Sequence, residues 1–179
     1  MPRYSFKRDP LTPDEVAKMI SEAETPPLRA LIVCLWLWGL RVGEALNLEK
    51  KDFTIYKRSV TLHIALEKKR KNTGPLIASH NINIKRTSPH AEILIAYLTS
   101  VSDGKVFPMS RWTARRQIKK LLSECSPHFF RHSRASRLAG KTDNVLELVD
   151  WFGWADPRPA MNYVQMSGRL AARLSNKVD

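Results

Sequence analysis

The sequence predicts a single domain of the α+β class, mainly α-helical with one small antiparallel β-sheet. Three observations lead to this fold class. Apolar residues recur at helical spacing towards both ends of the chain, whereas residues 53–66 and 75–84 alternate with a period of two. With 179 residues and 43% hydrophobic content, the chain is long enough to bury a hydrophobic core.

The first predicted elements are two helices and a shorter helical stretch. The sequence TPDE at residues 12–15 is a capping-box pattern that opens the first helix, so residues 1–10 are expected to be a tail or the remnant of a linker. The apolar run 31–40 is about half as long as a membrane span, which predicts a buried helix. A further helical stretch is predicted over residues 42–48.

The sheet is predicted from alternating segments in the middle of the chain. The alternation in residues 53–66 turns around residues 57–59, and another strand follows at 75–84. Between the last two strands lies KKRKNTG, residues 68–74, which predicts a basic turn. Helical spacing returns at 91–98 and continues, with breaks, towards the end of the chain.

The segment RWTARRQIKKLL, residues 111–122, is predicted to be an amphipathic helix with Ser110 as its N-cap. Its apolar stripe consists of Ala114, Ile118, Leu121 and Leu122. A second face carries, at a spacing of four, Arg111, Arg115 and Lys119. This face is either a solvated basic surface or a contact for phosphates, and the charge of the whole chain favours phosphate contacts.

The chain is strongly basic, with 30 Lys and Arg residues against 17 Asp and Glu, a net charge of +13 and a pI near 10.1. Such an excess causes self-repulsion unless a polyanion is bound, which indicates nucleic acid or an acidic membrane surface. The N-terminal residues show no secretory pattern, and Cys34 and Cys125 are too few for a disulfide framework or a zinc site. We therefore expect a reduced, intracellular protein that faces nucleic acid.

The sequence SPHFFRHSRAS, residues 126–136, predicts a helix whose first turn binds phosphate. Ser126 can cap this helix and Pro127 can start it. His128 and Arg131 then lie on one helical face with Cβ atoms about 5–6 Å apart, a separation that suits two donors to one phosphate. The alternative is a half-buried histidine beside a surface arginine.

In GLRVGEALNL, residues 39–48, Arg41 directly follows the predicted buried helix. Its apolar neighbours make this an expensive place for a guanidinium without a partner, and Glu44 can orient it from three residues away. The alternative is an ordinary ion pair on a helix surface, which stabilises little.

Two prolines separate two aromatic residues in WFGWADPRPAMNYVQM, residues 151–166. Asp156 can cap a new helix with Pro157 at its first position. The chain would then turn back, so that Trp154 and Tyr163 face one point in space. Taken alone, such an aromatic pair is typical of a hydrophobic core.

In this order and spacing, the motifs resemble the catalytic domain of the tyrosine recombinases, the phage integrase family. GLRxxE, a basic turn in a hairpin, HxxRH, and GW followed nine residues later by tyrosine carry the resemblance over residues 11–166. It implies a site-specific recombinase or integrase in which Tyr163 attacks a DNA phosphorus, forms a 3′-phosphotyrosyl bond and frees a 5′-hydroxyl. It also implies that the reaction uses no metal, no ATP and no other cofactor.

The resemblance assigns a role to each motif residue. Arg41 and Arg131 would clamp the non-bridging phosphoryl oxygens, and His128 would bind the phosphate and help to manage the tyrosine proton. Trp154 stands where many members have a second histidine and some, Cre recombinase among them, have tryptophan. Its indole donates a hydrogen bond but cannot carry a proton back and forth. The residues expected to support this set are Glu44 and His132.

In this family, a lysine of the hairpin turn protonates the leaving 5′-oxygen. The turn here offers Lys68, Lys69 and Lys71. The position of Lys71, six residues before Ile77, fits the family spacing best, and Lys69 is the alternative. The basic residues of the turn that are expected to bind the DNA backbone are Lys68, Lys69 and Arg70.

The resemblance also bears on domains and assembly. Integrases usually carry a separate N-terminal helical domain that closes around DNA, and the chain begins almost at the catalytic domain, so this domain is expected to be absent. Residues 167–179 are expected to form a tail whose Leu170 and Leu174 pack on a neighbouring subunit or on their own domain. The resemblance implies a cytoplasmic protein that binds double-stranded DNA and no membrane. We expect a monomer in free solution and a homotetramer on paired DNA sites.

Two other functions compete with a recombinase. A type IB topoisomerase uses a similar set of Arg, Lys, His and Tyr, although the short segment around the tyrosine and GLRxxE favour the recombinase. A catalytically silent DNA-binding module would lack one or more catalytic residues, yet every expected residue type is present.

Overall fold

The computed structural model describes residues 9–68, 76–142 and 144–167, with their side chains except those of 65–68 and 76–80. The described helices are α1 (Pro13–Glu22), α2 (Pro26–Trp38), α3 (Val42–Leu46), α4 (Ala91–Ser100), α5 (Arg111–Leu121), α6 (Pro127–Ala139), α7 (Val145–Phe152) and α8 (Arg158–Met166). The strands are β1 (Phe53–Ile55), β2 (Ser59–Lys68) and β3 (Leu76–Lys85), preceded by a short 3₁₀ helix, Lys50–Asp52. The predicted fold class, mainly helical with a small antiparallel sheet, is confirmed.

Helix α2 lies at the centre of the hydrophobic core. All of residues 30–38 are buried, and the helix packs against α1, α4 and α6. It ends at Gly39, which has a left-handed φ of 69° and no room for a Cβ beside Phe152 and Arg134. The predicted buried helix is confirmed. Neither α2 nor any other helix in the described part of the chain is long and apolar enough to span a membrane.

The sheet has the strand order β1-β2-β3, and both pairings are antiparallel. The buried side chains of its inner face are Val60, Leu62, Ile82 and Ile84. The indole Nε1 of Trp38 donates a hydrogen bond to the Ile82 carbonyl at 3.0 Å, which fixes the sheet to α2. Residues 69–75, between β2 and β3, lie outside the described residues.

Two of the predicted helix caps are confirmed in full. The Thr12 hydroxyl accepts a hydrogen bond from the Glu15 amide at 3.2 Å, and the Glu15 carboxylate accepts one from the Thr12 amide at 2.9 Å. The Ser110 hydroxyl accepts one from the Thr113 amide at 3.0 Å. The predicted apolar stripe of α5 is buried at Ala114 and Ile118 and half-buried at Leu121 and Leu122.

The other two predicted caps have different outcomes. Helix α6 begins at Pro127 as predicted, but the Ser126 hydroxyl makes no capping bond to the described residues. The turn closes instead through the Ser126 carbonyl, which accepts from the Phe129 amide at 2.9 Å. The predicted cap of α8 is observed, because the Asp156 carboxylate accepts from the Arg158 amide at 2.9 Å, although the helix itself starts at Arg158, one residue after Pro157.

A second apolar cluster joins α6, α7 and α8. Its buried members are Ala135, Ala139, Leu148, Phe152, Ala160 and Val164. Helix α7 ends at Gly153, which has a left-handed φ of 58°, and the chain then turns so that α8 packs on α6. Since α6 also packs on α2, Tyr163 of α8 comes to lie near the residues that follow the C-terminal ends of α2 and α7.

Candidate active site

A cavity of about 190 Å³ lies where α6, α8, the start of α3 and the α7–α8 connection meet. Its lining contains five of the six residues predicted to be catalytic, which are Arg41, His128, Arg131, Trp154 and Tyr163. The predicted convergence of residues from distant motifs is therefore observed. The sixth residue, Lys71, lies outside the described residues.

Arg131 is the buried centre of the cavity wall, with 5% of the residue exposed. Its Nη1 donates to the Gly39 carbonyl at 3.1 Å and its Nη2 to the Phe152 carbonyl at 2.9 Å. These carbonyls belong to the C-terminal ends of α2 and α7, where helix dipoles favour a cation. Burial, together with the charge of Arg41, lowers the pKa of Arg131 to about 10, so the guanidinium stays charged at neutral pH.

Arg41 lies at the mouth of the cavity, and its side chain is 53% exposed. The sequence predicted apolar surroundings for this guanidinium, and that prediction is wrong. The buried helix has ended at Gly39, and Arg41 is the N-cap of α3, which is shorter than predicted, so its side chain leaves the core. The predicted orientation by Glu44 is observed, because Glu44 Oε1 accepts from Arg41 Nη1 at 2.7 Å and Oε2 from the Arg41 amide at 2.7 Å.

Glu44 connects the two arginines of the cavity. Besides its hydrogen bonds to Arg41, its Oε2 lies 3.7 Å from Nη1 of Arg131. One carboxylate therefore orients the exposed guanidinium and partly offsets the charge of the buried one.

His128 lies at the start of α6 and is exposed at the cavity. Partial desolvation, followed by the positive charges of Arg131 and Arg41, lowers its pKa below the usual 6.5. The imidazole is consequently neutral at pH 7, with one nitrogen able to donate and the other able to accept a hydrogen bond.

His132 is one helical turn further along α6 and is buried, with 2% of the residue exposed. Its Nδ1 lies 3.2 Å from the Tyr163 hydroxyl, and the two ring centroids are 5.6 Å apart. Burial, and to a lesser degree the charge of His128, lower the pKa of His132 to about 4. The sequence placed this residue only among the supporting ones, whereas the structure places it directly against the tyrosine.

Trp154 and Tyr163 face one another as predicted. Their rings are stacked with centroids 5.9 Å apart and an angle of 2° between the planes. Phe152 stacks on Trp154 at 4.6 Å, and the Arg131 guanidinium lies 4.8 Å from the Phe152 ring and 5.6 Å from the Trp154 ring. The aromatic pair is therefore part of the cavity wall rather than of the core alone.

Three further residues line the cavity and were missed by the sequence analysis: Pro159, Asn162 and Met166. Pro159 and Asn162 stand four residues and one residue before Tyr163, and Met166 stands three residues after it. All of them therefore lie on the same face of α8 as Tyr163. This helical spacing was available in the sequence once Tyr163 was singled out. No comparable pattern in the sequence indicated that the carbonyls of Gly39 and Phe152 accept hydrogen bonds from Arg131.

The predicted basic face of α5 is observed as an open groove next to the cavity. Arg111, Arg115 and Lys119 line this groove together. Two more of its residues were not predicted, namely Trp112, which is 66% exposed, and Arg116, whose guanidinium lies 4.7 Å from the Trp112 ring. An aromatic residue inside a basic helix was the signal that could have identified them.

Arg111 connects the α5 groove with the cavity that contains Tyr163. A Cβ on Gly43 would collide with the Arg111 guanidinium, so this side chain lies directly against α3. Arg111 also lines a cleft of about 420 Å³ together with Arg41, Glu44 and His128. Positive side chains thus extend from the cavity to the outer end of α5.

Several predicted residues cannot be placed. Lys69, Arg70 and Lys71 lie outside the described residues, as does the tail 168–179, and the Lys68 side chain is likewise not described. Among the described residues, no three His, Cys, Asp or Glu side chains are grouped so that they could hold a metal ion.

Comparisons with known proteins agree with this architecture. The profile of the Phage integrase family matches residues 9–168. Among solved structures, the XerH site-specific recombinase bound to its difH substrate has a TM-score of 0.67 and 21% identity, and the match covers 88% of this chain and 50% of that chain. The XerA recombinase has a TM-score of 0.66 and 20% identity, with coverage of 91% and 61%.

The catalytic domain of the bacteriophage HP1 integrase has a TM-score of 0.64 and 16% identity, and the match covers 92% of each chain. A search of curated proteins gave no significant match. The chain therefore spans about half of the XerH chain but nearly all of an integrase catalytic domain.

Proposed function

The chain belongs to the phage integrase family, and on that basis we propose that it cuts and rejoins DNA as a site-specific tyrosine recombinase. One observation carries the proposal: Tyr163 lines the same cavity as the three side chains best suited to bind a phosphate, Arg41, His128 and Arg131. A phosphodiester bound there would meet a nucleophile and its electrostatic stabilisation in one place.

Phosphate binding is the task of the two arginines. The carbonyls of Gly39 and Phe152 use two of the five N–H donors of Arg131, so the guanidinium is held in place while other donors can reach the phosphoryl oxygens. Arg41, which is more exposed and oriented by Glu44, approaches the same phosphate from the mouth of the cavity. Their fixed positive charges stabilise the additional negative charge that develops in the transition state.

The chemical step is a transesterification. The Tyr163 oxygen loses its proton, for which we assign the neutral imidazole of His128 as acceptor, and forms a bond to phosphorus. The bond between phosphorus and the 5′-oxygen breaks, and this oxygen takes up a proton and leaves as a 5′-hydroxyl. One phosphodiester replaces another, so the 5′-hydroxyl of the same or another strand can reverse the step and rejoin DNA. We assign the proton for the leaving oxygen to Lys71, with Lys69 as the alternative.

His128 and Trp154 complete the site in different ways. His128 is neutral at pH 7 and can donate one hydrogen bond to a phosphoryl oxygen. Trp154 supplies an indole N–H and a ring surface, but it cannot transfer a proton. We therefore assign phosphate binding, and no acid–base role, to Trp154.

The test is covalent capture of DNA by the protein. A pool of duplexes with randomised sequence and a nick on one strand lets the short 5′-hydroxyl fragment diffuse away, which traps the adduct for isolation and sequencing. We expect adduct formation by the wild type in excess EDTA and none by Tyr163→Phe at equal DNA binding. Adduct formation by the Phe variant would remove Tyr163 from the role of nucleophile.

Covalent capture, together with plasmid relaxation and DNA-binding assays, separates the competing functions. Activity lost in EDTA and restored by magnesium would contradict a reaction that uses no metal. Relaxation of supercoiled plasmid by monomers, without strand exchange, would indicate a type IB topoisomerase. DNA binding without any adduct would indicate a catalytically silent module.

A further inference from the structure

The nucleophile touches a histidine outside the set of phosphate-binding residues. Nδ1 of His132 lies 3.2 Å from the Tyr163 hydroxyl, across the packing of α6 on α8. His132 is buried and does not belong to the cavity lining, whereas His128, four residues earlier, does. The two histidines of α6 therefore lie at different places relative to the cavity: His128 lines it, and His132 lies beside the tyrosine.

Packing fixes the position of the His132 ring. Phe129 contacts it edge to face, with centroids 6.3 Å apart and an angle of 82° between the planes. The Tyr163 ring is fixed in turn by its stacking on Trp154. The hydrogen bond between Nδ1 and the hydroxyl thus joins two rings that are each restrained by a separate aromatic neighbour.

The contact determines where the reactive lone pairs of Tyr163 point. If Nδ1 accepts, the O–H bond is directed at His132, and the remaining lone pairs of the oxygen are directed elsewhere. The neighbouring open space is the cavity with Arg41 and Arg131. A neutral imidazole is needed for this arrangement, and burial, which lowers the pKa of His132 to about 4, keeps the ring neutral at physiological pH.

We propose that His132 is a positioning residue, whose Nδ1 accepts a hydrogen bond from the Tyr163 hydroxyl and holds the nucleophilic oxygen towards the bound phosphate. This inference rests on the proposed function, because it acts through Tyr163 as the nucleophile. Loss of the His132 acceptor should therefore slow the attack of Tyr163 on phosphorus, without changing DNA affinity or the departure of the 5′-oxygen.

Two substitutions separate the hydrogen bond from the packing. His132→Leu keeps much of the side-chain volume and removes the acceptor, whereas His132→Asn offers its Oδ1 near the position of Nδ1. At saturating nicked DNA, we expect the Leu variant to form adduct about 10²-fold more slowly, the loss typical of a misplaced reacting group. We expect the Asn variant to form adduct at least about tenfold faster than the Leu variant.

A modified substrate locates the defect within the reaction. DNA with sulfur in place of the bridging 5′-oxygen has a leaving group that needs no proton. We expect the rate defect of His132→Leu to persist on this DNA, since the attack step is impaired. Restoration of the rate by the sulfur substrate would place His132 at the leaving group and overturn the proposal.

The outcomes for the inference and for the proposed function are distinct. A wild type that forms no adduct refutes the proposed function and the inference with it. A reactive wild type with an inactive Tyr163→Phe variant, but equal rates for His132→Leu, refutes the inference alone. Equal losses in the Leu and Asn variants would show that the ring is needed for packing rather than as an acceptor.

A measurement without DNA tests the hydrogen bond even if the Leu variant fails to fold. In wild-type protein labelled with ¹⁵N-histidine, we expect His132 to carry its proton on Nε2, with Nδ1 shifted by an accepted hydrogen bond. Tyr163→Phe should shift the Nδ1 signal, because this hydrogen bond is removed. A proton on Nδ1, or a signal unaffected by Tyr163→Phe, would overturn the proposal.

Discussion

At the scale of single residues, the buried guanidinium of Arg131 connects the folded core with the proposed phosphate site. It donates to the last carbonyls of two helices and lies close to Glu44, so its position depends on three separate elements. Arg41 has the same proposed role but is exposed at the N-cap of α3. The two arginines should therefore respond differently to the same substitution.

We expect Arg41→Ala and Arg131→Ala each to reduce the rate of adduct formation on the order of 10²-fold or more. Only Arg131→Ala should also lower the free energy of unfolding, because it leaves two buried carbonyls without a donor, at a cost of about 1–3 kcal/mol each. Adduct kinetics and urea unfolding measure the two effects. Unchanged cleavage by a folded variant would remove that arginine from the site, and equal stability of both variants would contradict the anchoring role of Arg131.

His132 should also make the stability of the protein depend on pH. Its pKa falls from 6.5 in the unfolded chain to about 4 in the folded protein, so the unfolded state binds the proton more readily. The free energy of unfolding should therefore decrease as pH falls from about 6.5 to about 4, by on the order of 3 kcal/mol from this residue. Urea unfolding at pH 7 and pH 4.5 should show a smaller decrease in His132→Asn. An identical decrease in both proteins would show that His132 is not the cause.

At the scale of elements, α5 and α6 use their positive side chains in different ways. The arginines of α6 lie on aromatic rings inside the fold: Arg134 lies 4.7 Å from the Trp151 ring and Arg137 4.1 Å from the Trp36 ring. The cations of α5 face an open groove instead. Part of the positive charge therefore stabilises packing, whereas the α5 face remains available for the contacts with DNA phosphates that we propose.

Replacing Arg111, Arg115 and Lys119 by alanine should weaken binding to every DNA sequence alike. If each side chain contacts one phosphate, the slope of log affinity against log salt should become shallower by about 0.9 for each residue. Lys120→Ala on the same helix is the matched control, because its ammonium already pairs with Glu24 at 2.8 Å. Fluorescence anisotropy at several salt concentrations measures the slopes. A slope unchanged by the triple substitution would make this face a solvated surface only.

The same elements show what the sequence could and could not predict. Helical spacing paired His128 with Arg131, because both lie within one turn of one helix, whereas Tyr163 was added to them by the resemblance to the tyrosine recombinases. The anchoring of Arg131 did not, because its two carbonyl partners lie 92 and 21 residues away and meet only in the folded chain. The exposure of Arg41 was mispredicted because apolar sequence neighbours say nothing about the direction in which a side chain leaves the backbone.

At the scale of the whole molecule, the described domain provides a candidate active site and one basic groove, which we propose to be the DNA-facing surface. The match covers half of the XerH chain. Assembly on DNA is therefore a proposal. We propose a monomer in free solution that assembles as a tetramer on paired sites, with the tail after Tyr163 packing on a neighbouring subunit.

Deletion of residues 168–179 should weaken cooperative assembly and strand exchange while sparing the folded domain. The double substitution of Leu170 and Leu174 by alanine should have the same effect, and Asn176→Ala in the same tail is its control. Analytical ultracentrifugation with paired-site DNA measures the assembly, and thermal unfolding checks the fold. If assembly on DNA is unchanged by the deletion, the tail docks on its own domain instead.

The central claim is that Tyr163 is the residue that becomes joined to DNA, and identification of the adduct by mass spectrometry tests it most directly. Trypsin does not cut between Arg158 and Pro159, so residues 142–169 form one peptide that contains Tyr163 and none of the other three tyrosines of the chain. After covalent capture and nuclease digestion, we expect this peptide to carry a nucleotide joined through its 3′-phosphate to Tyr163. A 3′-linked nucleotide on another tyrosine, or a 5′-linked one, would contradict the account.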